Sequence, residues 1–331
     1  MALRTRIQET GMDKKQVITF IRGGIGNQMF IYAAARRISI KNDAKLVLVS
    51  DLFKNESHGR HFLLDMFTIS AEVSTIDNTG RPYNQATHRL AKKLDRYLYP
   101  LSKHYPHYLI EKTKNTLGKR TPVDPRVLTV RVKDYLYVDG FFQNELYFSD
   151  IKETIKSDFT LKDNPEIQAS NIASEIKATD SVCIHFRRTE LEQKQMLERH
   201  GKKRWMRGYK EGLDTEYYLK AIDLIRSKVS SPRFYCFSDH PDWVRNNIKL
   251  SVPVTYIDAN NTQSTCHGDI YLMSLCKHHI ISHSTFGWWG AWLANNPRQV
   301  VVAPRNICGR PKPPDYPDTW TTIEVCQRKV T

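Results

Sequence analysis

The chain of 331 residues is poor in acid: 35 Asp and Glu face 50 Lys and Arg, a formal net charge of +15. That imbalance points to an anionic partner, whether nucleic acid, a membrane surface or a nucleotide-linked substrate. Long apolar runs are missing, so no bilayer-spanning helix is expected, and no stretch has the form of a secretory signal. Cysteine is sparse, six in all, with neither Cys-x-x-Cys nor a zinc-like Cys/His spacing. Cys183, Cys236 and Cys276 fall in apolar segments and read as buried reduced thiols. Cys308 and Cys326 could pair in principle, but a reduced cytosolic protein is the simpler reading. No Asp-x-Asp stands near a strand end, where a metal-dependent nucleotide-sugar enzyme would hold its metal against a diphosphate. The glycine turn Gly23-Gly24-Ile25-Gly26 has Met29 where a dinucleotide fingerprint needs its third glycine, which disfavours NAD.

What is present alternates. Gln16 to Ile21 reads as a strand, Met29 to Ile40 as a helix and Lys45 to Val49 as a second strand. The polar region from Glu72 to Lys133 reads as helices and loops inserted in the first domain. Tyr135 to Phe142 returns to a strand pattern, and Asp150 to Phe159 to a helix. In the second half, strands at Ser181–His185, Arg233–Phe237, Pro253–Ile257, His279–Ser282 and Gln299–Ala303 are separated by helices at Thr215–Lys228, Pro241–Asn247, His267–Cys276 and from Thr285 to Asn295. The segment Pro311 to Pro317 reads as a loop. This alternation predicts an α/β protein of two Rossmann-like domains, residues 12–165 and 166–331, facing a cleft that would be the default active site.

The chemistry concentrates after the strand Ser181–His185, in His185-Phe186-Arg187-Arg188-Thr189-Glu190. Adjacent guanidiniums repel unless an anion lies between them, and a diphosphate matches their donor forks. Glu190 is a carboxylate placed to take a proton. Further site elements are Phe237-Ser238-Asp239 at a strand end and Ser284-Thr285-Phe286 at a helix start, where hydroxyls and amides suit phosphate. Asn27 and Gln28 begin the first helix, where amides meet an anion or sugar hydroxyls. Trp288, Trp289 and Trp292 are read as packing rather than sugar stacking. Basic residues crowd His88 to Arg120 (Arg89, Lys92, Lys93, Arg96, Lys103, Lys112, Lys114, Lys119, Arg120), a polyanion or anionic-membrane patch or else a solvated helical face; Arg199 to Lys210 reads as a loop over the site.

The segments Gly23-Gly24-Ile25-Gly26-Asn27-Gln28-Met29-Phe30, Asp139-Gly140-Phe141-Phe142-Gln143 with Tyr147-Phe148, His185 to Glu190, Phe237-Ser238-Asp239, and Leu272 to His278 running into Ser284 to Leu293 together resemble the α-1,2-fucosyltransferases of glycosyltransferase family 11, in the family's order from Val17 to Pro304. The resemblance implies a GT-B fold and inverting, metal-independent transfer of L-fucose from GDP-fucose to the 2-hydroxyl of a galactose-type acceptor, without cofactor. It further implies that Arg187 and Arg188 grip the diphosphate, that His185 positions the nucleotide, and that Ser238, Asp239, Ser284, Thr285 and Phe286 surround the GDP. Gly24, Gly26, Asn27 and Gln28 would then lie on the sugar side, with Arg187, Arg188, Asn27 and Glu190 catalytic. The family usually has Gly-Asp where this chain has Thr189-Glu190; Glu192 or a first-domain carboxylate is the alternative base. A bacterial cytoplasmic enzyme of surface-polysaccharide or O-antigen synthesis is expected, peripheral to the inner membrane if the basic patch meets anionic lipid. The alternatives are a GT-B transferase of other donor or linkage, and a basic RNA- or membrane-binding protein. No nucleic-acid partner is expected.

Overall fold

The computed structural model describes residues 14–53, 61–97, 107–112, 121–162, 165–168, 170–188, 213–257, 266–305 and 315–325. They build two wholly parallel sheets with helices between the strands. The first contains β1 (Gln16–Phe20), β2 (Lys45–Val49), β3 (Glu72–Ser74), β4 (Tyr108–Ile110) and β5 (Tyr135–Asp139) in the order β3-β2-β1-β5-β4. The second contains β6 (Asp180–Phe186), β7 (Pro232–Ser238), β8 (Val254–Tyr256), β9 (His278–Ile280), β10 (Val301–Arg305) and β11 (Thr321–Glu324) in the order β11-β10-β9-β6-β7-β8. This is the two-sheet α/β architecture of GT-B proteins that the sequence predicts. Each order reverses once, between β1 and β5 and between β6 and β9. Ligands of open parallel sheets bind at such reversals, outside the carboxyl ends of the strands.

The helices are α1 (Ile25–Lys41), α2 (Gln85–Tyr97), α3 (Pro125–Thr129), α4 (Lys152–Asp158), α5 (Pro165–Gln168), α6 (Asn171–Ala178), α7 (Thr215–Lys228), α8 (Pro241–Asn247), α9 (Cys266–Leu275) and α10 (Thr285–Leu293). The middle of α1 is apolar all round and is buried accordingly, from Met29 through Ala35 without a break. Its polar groups are paired: the Tyr32 hydroxyl donates to Asp158 (2.7 Å), and Arg37 grips Asp150 through two donors (2.7 and 3.0 Å).

The region Glu72 to Lys133 departs from expectation. It supplies β3 and β4, the two edge strands of the first sheet, besides α2 and α3. Each strand has three residues, too few for an alternation to register. β11 was likewise unforeseen and pairs with β10 beyond the loop that contains Tyr316 and Pro317.

The largest apolar core crosses between the sheets. Trp288, Trp289 and Trp292 of α10 pack with Phe30, Phe148 and Phe159 of the first half. Trp289 lies 4.9 Å from Phe30, 5.6 Å from Phe148 and 5.1 Å from Phe159, centroid to centroid. A buried indole needs an acceptor, and all three have one: Gly26 O (2.9 Å), Asp315 O (3.1 Å) and Glu145 Oε2 (3.0 Å) for Trp289, Trp288 and Trp292. The tryptophans pack, as the sequence suggested.

His279 is fully buried at the base of the second sheet, between the Met273 carbonyl (2.8 Å) and the Gln299 side chain (3.0 Å). Burial pushes its pKa down to about 4 from an ordinary 6.5. The unfolded chain therefore takes up a proton between those values that the folded chain refuses, so this imidazole makes stability fall as pH falls through that window. His279→Gln should flatten the pH slope of unfolding free energy by about 1.4 kcal/mol per pH unit in that range. Denaturant titrations of both proteins at several pH values check this; identical slopes would show that His279 is charged in the fold.

Candidate functional site

β6 ends where the second sheet reverses, and it delivers His185, Arg187 and Arg188 there. The His185 ring is buried; its Nδ1 lies 2.8 Å from Ser282 Oγ, just past β9, and its plane is nearly parallel to Phe286 at 5.6 Å. Burial is the main cause pushing its pKa down to about 4, aided by Arg187 and opposed by Asp239. At neutral pH it is an uncharged hydrogen-bonding group. Gly287 makes this contact possible: a Cβ there would stand 2.7 Å from His185 Nδ1.

Arg187 and Arg188 have different surroundings. Arg187 is one-third exposed and pairs with Asp239 at 2.9 Å. Arg188 is buried, 8% exposed; its guanidinium stacks 3.8 Å over Trp243 of α8 and donates to Leu213 O at 3.3 Å. Asp239 also accepts the Arg188 amide (3.0 and 3.2 Å), so one carboxylate fixes the strand end and one guanidinium. Ser238 is buried and caps the turn by accepting the His240 amide at 3.0 Å. Ser284 caps α10 through the Phe286 amide at 3.2 Å, and Thr285 opens that helix.

The glycine turn meets this second-half site. A Cβ on Gly26 would lie 2.6 Å from the Thr285 carbonyl carbon and 2.8 Å from the Phe286 amide. The amino-terminal ends of α1 and α10 therefore touch, and both present positive dipole ends to the same space. Gly24 is the N-cap of α1. Asn27 is half-buried and accepts from Gln143 Nε2 at 2.8 Å. Gln28, expected on the sugar side, is turned wholly inward. It donates to Gly23 O (3.0 Å) and His61 O (2.8 Å) and accepts the Leu63 amide (3.0 Å), pinning the following loop beside the glycine turn.

Thr189, Glu190 and Glu192 lie outside the described residues, as do Arg199 to Lys210, Cys308 and Cys326. Of the basic stretch from His88 to Arg120, residues 98–106 and 113–120 lie outside as well, and Lys92 is engaged with Asp139 at 2.5 Å. Among the described residues, no three His, Cys, Asp or Glu side chains gather as a metal site, and no helix is long and apolar enough to cross a membrane.

Two groups escaped the sequence reading. Asp269, in the first turn of α9, stands at the carboxyl edge of the second sheet. It is buried, its Oδ1 has no hydrogen-bond partner among the described residues, and burial pushes its pKa up to about 7. An acid inside the otherwise apolar helical run Gly268 to Leu275 was the available signal. In the first half, Asp139 at the end of β5 is surrounded by Arg22 (2.5 Å), His88 (3.1 Å) and Lys92. Its burial opposes ionisation, but the close His88 imidazole and the charges of Arg22 and Lys92 hold its carboxyl well below the usual range.

Comparison with known sequences gives a match to the family described as Glycosyl transferase family 11 over residues 16–323. An Escherichia coli alpha-1,2-colitosyltransferase is 29% identical over 325 residues, covering 93% of this chain and 99% of that one. The O-antigen biosynthesis glycosyltransferase WbnK of Escherichia coli is 26% identical, over 92% and 99% of the two chains. Human galactoside alpha-(1,2)-fucosyltransferase 1 is 26% identical over 169 residues, 48% of this chain and 43% of that one. Among solved structures, the fucosyltransferase NodZ from Bradyrhizobium matches with a TM-score of 0.44 at 14% identity, over 86% and 94% of the chains.

The close approach at Gly287 gives a direct test. His185 is held by Ser282 and cannot retreat, so Gly287→Ala should destabilise the chain by about 1–3 kcal/mol, as overpacking does. Chemical denaturation measures this, and an unchanged midpoint would show that the imidazole is free to move.

Proposed function

The chain belongs to glycosyl transferase family 11, and on that premise we propose that it is an inverting, metal-independent α-1,2-glycosyltransferase that moves L-fucose from GDP-β-L-fucose to the 2-hydroxyl of a galactose-type residue. The observation that carries the reading is the convergence of the β6 end, through His185, on the start of α10, which in turn touches the start of α1, with Arg187 two residues further along the same strand end. That arrangement suits a diphosphate, because helix amino-termini and an arginine beside the same strand end are both groups that bind phosphate.

Glycosyl transfer passes through an oxocarbenium-like state while negative charge builds on the leaving phosphate. Donors fixed in advance stabilise that charge more than the ground state. Arg187 is the guanidinium suited to exchange its Asp239 partner for phosphate, because it is partly exposed. Arg188, buried over Trp243, is suited to hold the strand end and α8 in place. Neutral His185 can hydrogen-bond the nucleotide without adding charge. Asp269 is a buried acceptor at the same sheet edge, and the N–H donors of a guanine are the class of group it would take.

A second reading of the donor has a specific observation behind it, since a full-length relative is an alpha-1,2-colitosyltransferase. Colitose is fucose lacking the 3-hydroxyl. A site that hydrogen-bonds that hydroxyl rejects the deoxy sugar strongly, whereas a site that does not accepts both. The relatives also support an acceptor in a surface polysaccharide such as an O-antigen.

Mass spectrometry of products from GDP-fucose and GDP-colitose with a panel of β-galactosides tests the reading, with EDTA expected to leave the rate intact. Arg187→Ala should lower kcat by about 10²–10³ with the fold preserved. Arg188→Ala should lose both activity and stability. No transfer from either donor to any galactoside would sink the proposal, and a wild-type rate for Arg187→Ala would remove the phosphate role.

A further inference from the structure

The donor reading uses the reversal point of the second sheet. The first sheet has one too, between the ends of β1 and β5, and what stands there is unassigned. β1 leads into Arg22 and the glycine turn, and β5 leads into Asp139-Gly140-Phe141-Phe142-Gln143.

This second loop is held under strain. Phe142 has φ +49°, a left-handed conformation that costs a bulky residue about 1–2 kcal/mol. Gly140 is hemmed in: a Cβ would lie 2.4 Å from Glu111 Cβ and 2.6 Å from the Phe142 ring. Half-buried Glu111, beyond the end of β4, accepts both the Phe141 amide (2.8 Å) and the Phe142 amide (3.0 Å) through one oxygen. Phe142 is fully buried and meets Tyr147 edge-on at 5.3 Å, so it explains itself as core. Phe141 does not. Its ring is 41% exposed, and the Arg22 guanidinium lies 4.6 Å from its centroid. A single exposed Phe on a loose loop would need no explanation. One presented by a clamped, strained loop does, because such strain persists where a site needs it.

The neighbours have carbohydrate-binding chemistry. Arg22, fixed by Asp139, is a planar fork of donors over one face of the ring. From the same loop Gln143 reaches Asn27, whose amide stands at the start of α1, next to the contact with α10. An exposed aromatic ring with a guanidinium over one face, followed in the same loop by a carboxamide bonded to a second, matches a pyranose, which has an apolar C–H face and a rim of hydroxyls.

We propose that Phe141 is the platform on which the acceptor sugar stacks through the ring face that Arg22 leaves uncovered, with Arg22, Asn27 and Gln143 ordering its hydroxyls. The proposal rests on the glycosyl-transfer reading for its acceptor class; a galactoside fits because its axial 4-hydroxyl leaves H3, H4 and H5 on one apolar face.

Saturation-transfer NMR with methyl β-D-galactopyranoside tests the platform without the donor sugar. The wild type should transfer saturation chiefly to H3, H4 and H5. Phe141→Ala should lose that pattern with its thermal midpoint unchanged, and Phe141→Trp should keep it. In turnover, Phe141→Ala should raise acceptor KM about tenfold, with the loss falling in KM rather than kcat. A wild-type pattern or KM in Phe141→Ala, or absence of galactoside binding by the wild type, would overturn the proposal. Galactoside binding through Phe141 without turnover of GDP-fucose would instead overturn the donor assignment and leave the platform standing.

Discussion

The approach of the glycine turn to the start of α10 is the constraint on which the site depends. Two helix amino-termini come within contact distance only because position 26 has no side chain, the nearest backbone atom lying 2.6 Å from where a Cβ would be. The Trp289 indole reinforces the contact by donating to the Gly26 carbonyl, and it is buried among first-half aromatics. Dipole ends of like sign repel, so this meeting is unfavourable by itself in the absence of an anion. The aromatic core across the two halves supplies the cohesion that offsets it.

Around that point each sheet uses one aspartate at a strand end to organise positive charge. Asp239 fixes the Arg188 amide and pairs with Arg187. Asp139 draws in Arg22, Lys92 and the His88 imidazole. The arrangement answers the repulsion between neighbouring cations before any ligand arrives. It also sorts them: a guanidinium stacked on an indole and hydrogen-bonded to a carbonyl is architectural, while one paired with a carboxylate at the surface can exchange that partner for another anion.

The long buried strands and the helices between them were legible because each is continuous in sequence. β3, β4 and β11 were not, since three or four residues at a sheet edge give no period to read. Gln28 followed a glycine turn and so looked like a ligand residue; only the fold reveals that the chain at His61 and Leu63 returns to take up its amide. The group around Asp139 was illegible for a different reason. Its members come from the segment after β1, from α2 and from β5, and only the parallel pairing of β1 with β5 brings Arg22 beside Asp139.

The cross-half core also bears on how the site works. Interfaces between domains are ordinarily modest and polar, which permits hinge motion. Here Trp288, Trp289 and Trp292 are part of the first half's own core, and the indole nitrogens of Trp289 and Trp292 are satisfied by first-half acceptors. Rotating α10 away from α1 would expose those rings and strand the Trp289 and Trp292 donors, so the contact at Gly26 acts as a fixed point. The reversal points of the two sheets are then held in a constant relation, and substrates bound at them would meet in a geometry set by packing. Preorganisation of that kind is where proximity contributes most to rate.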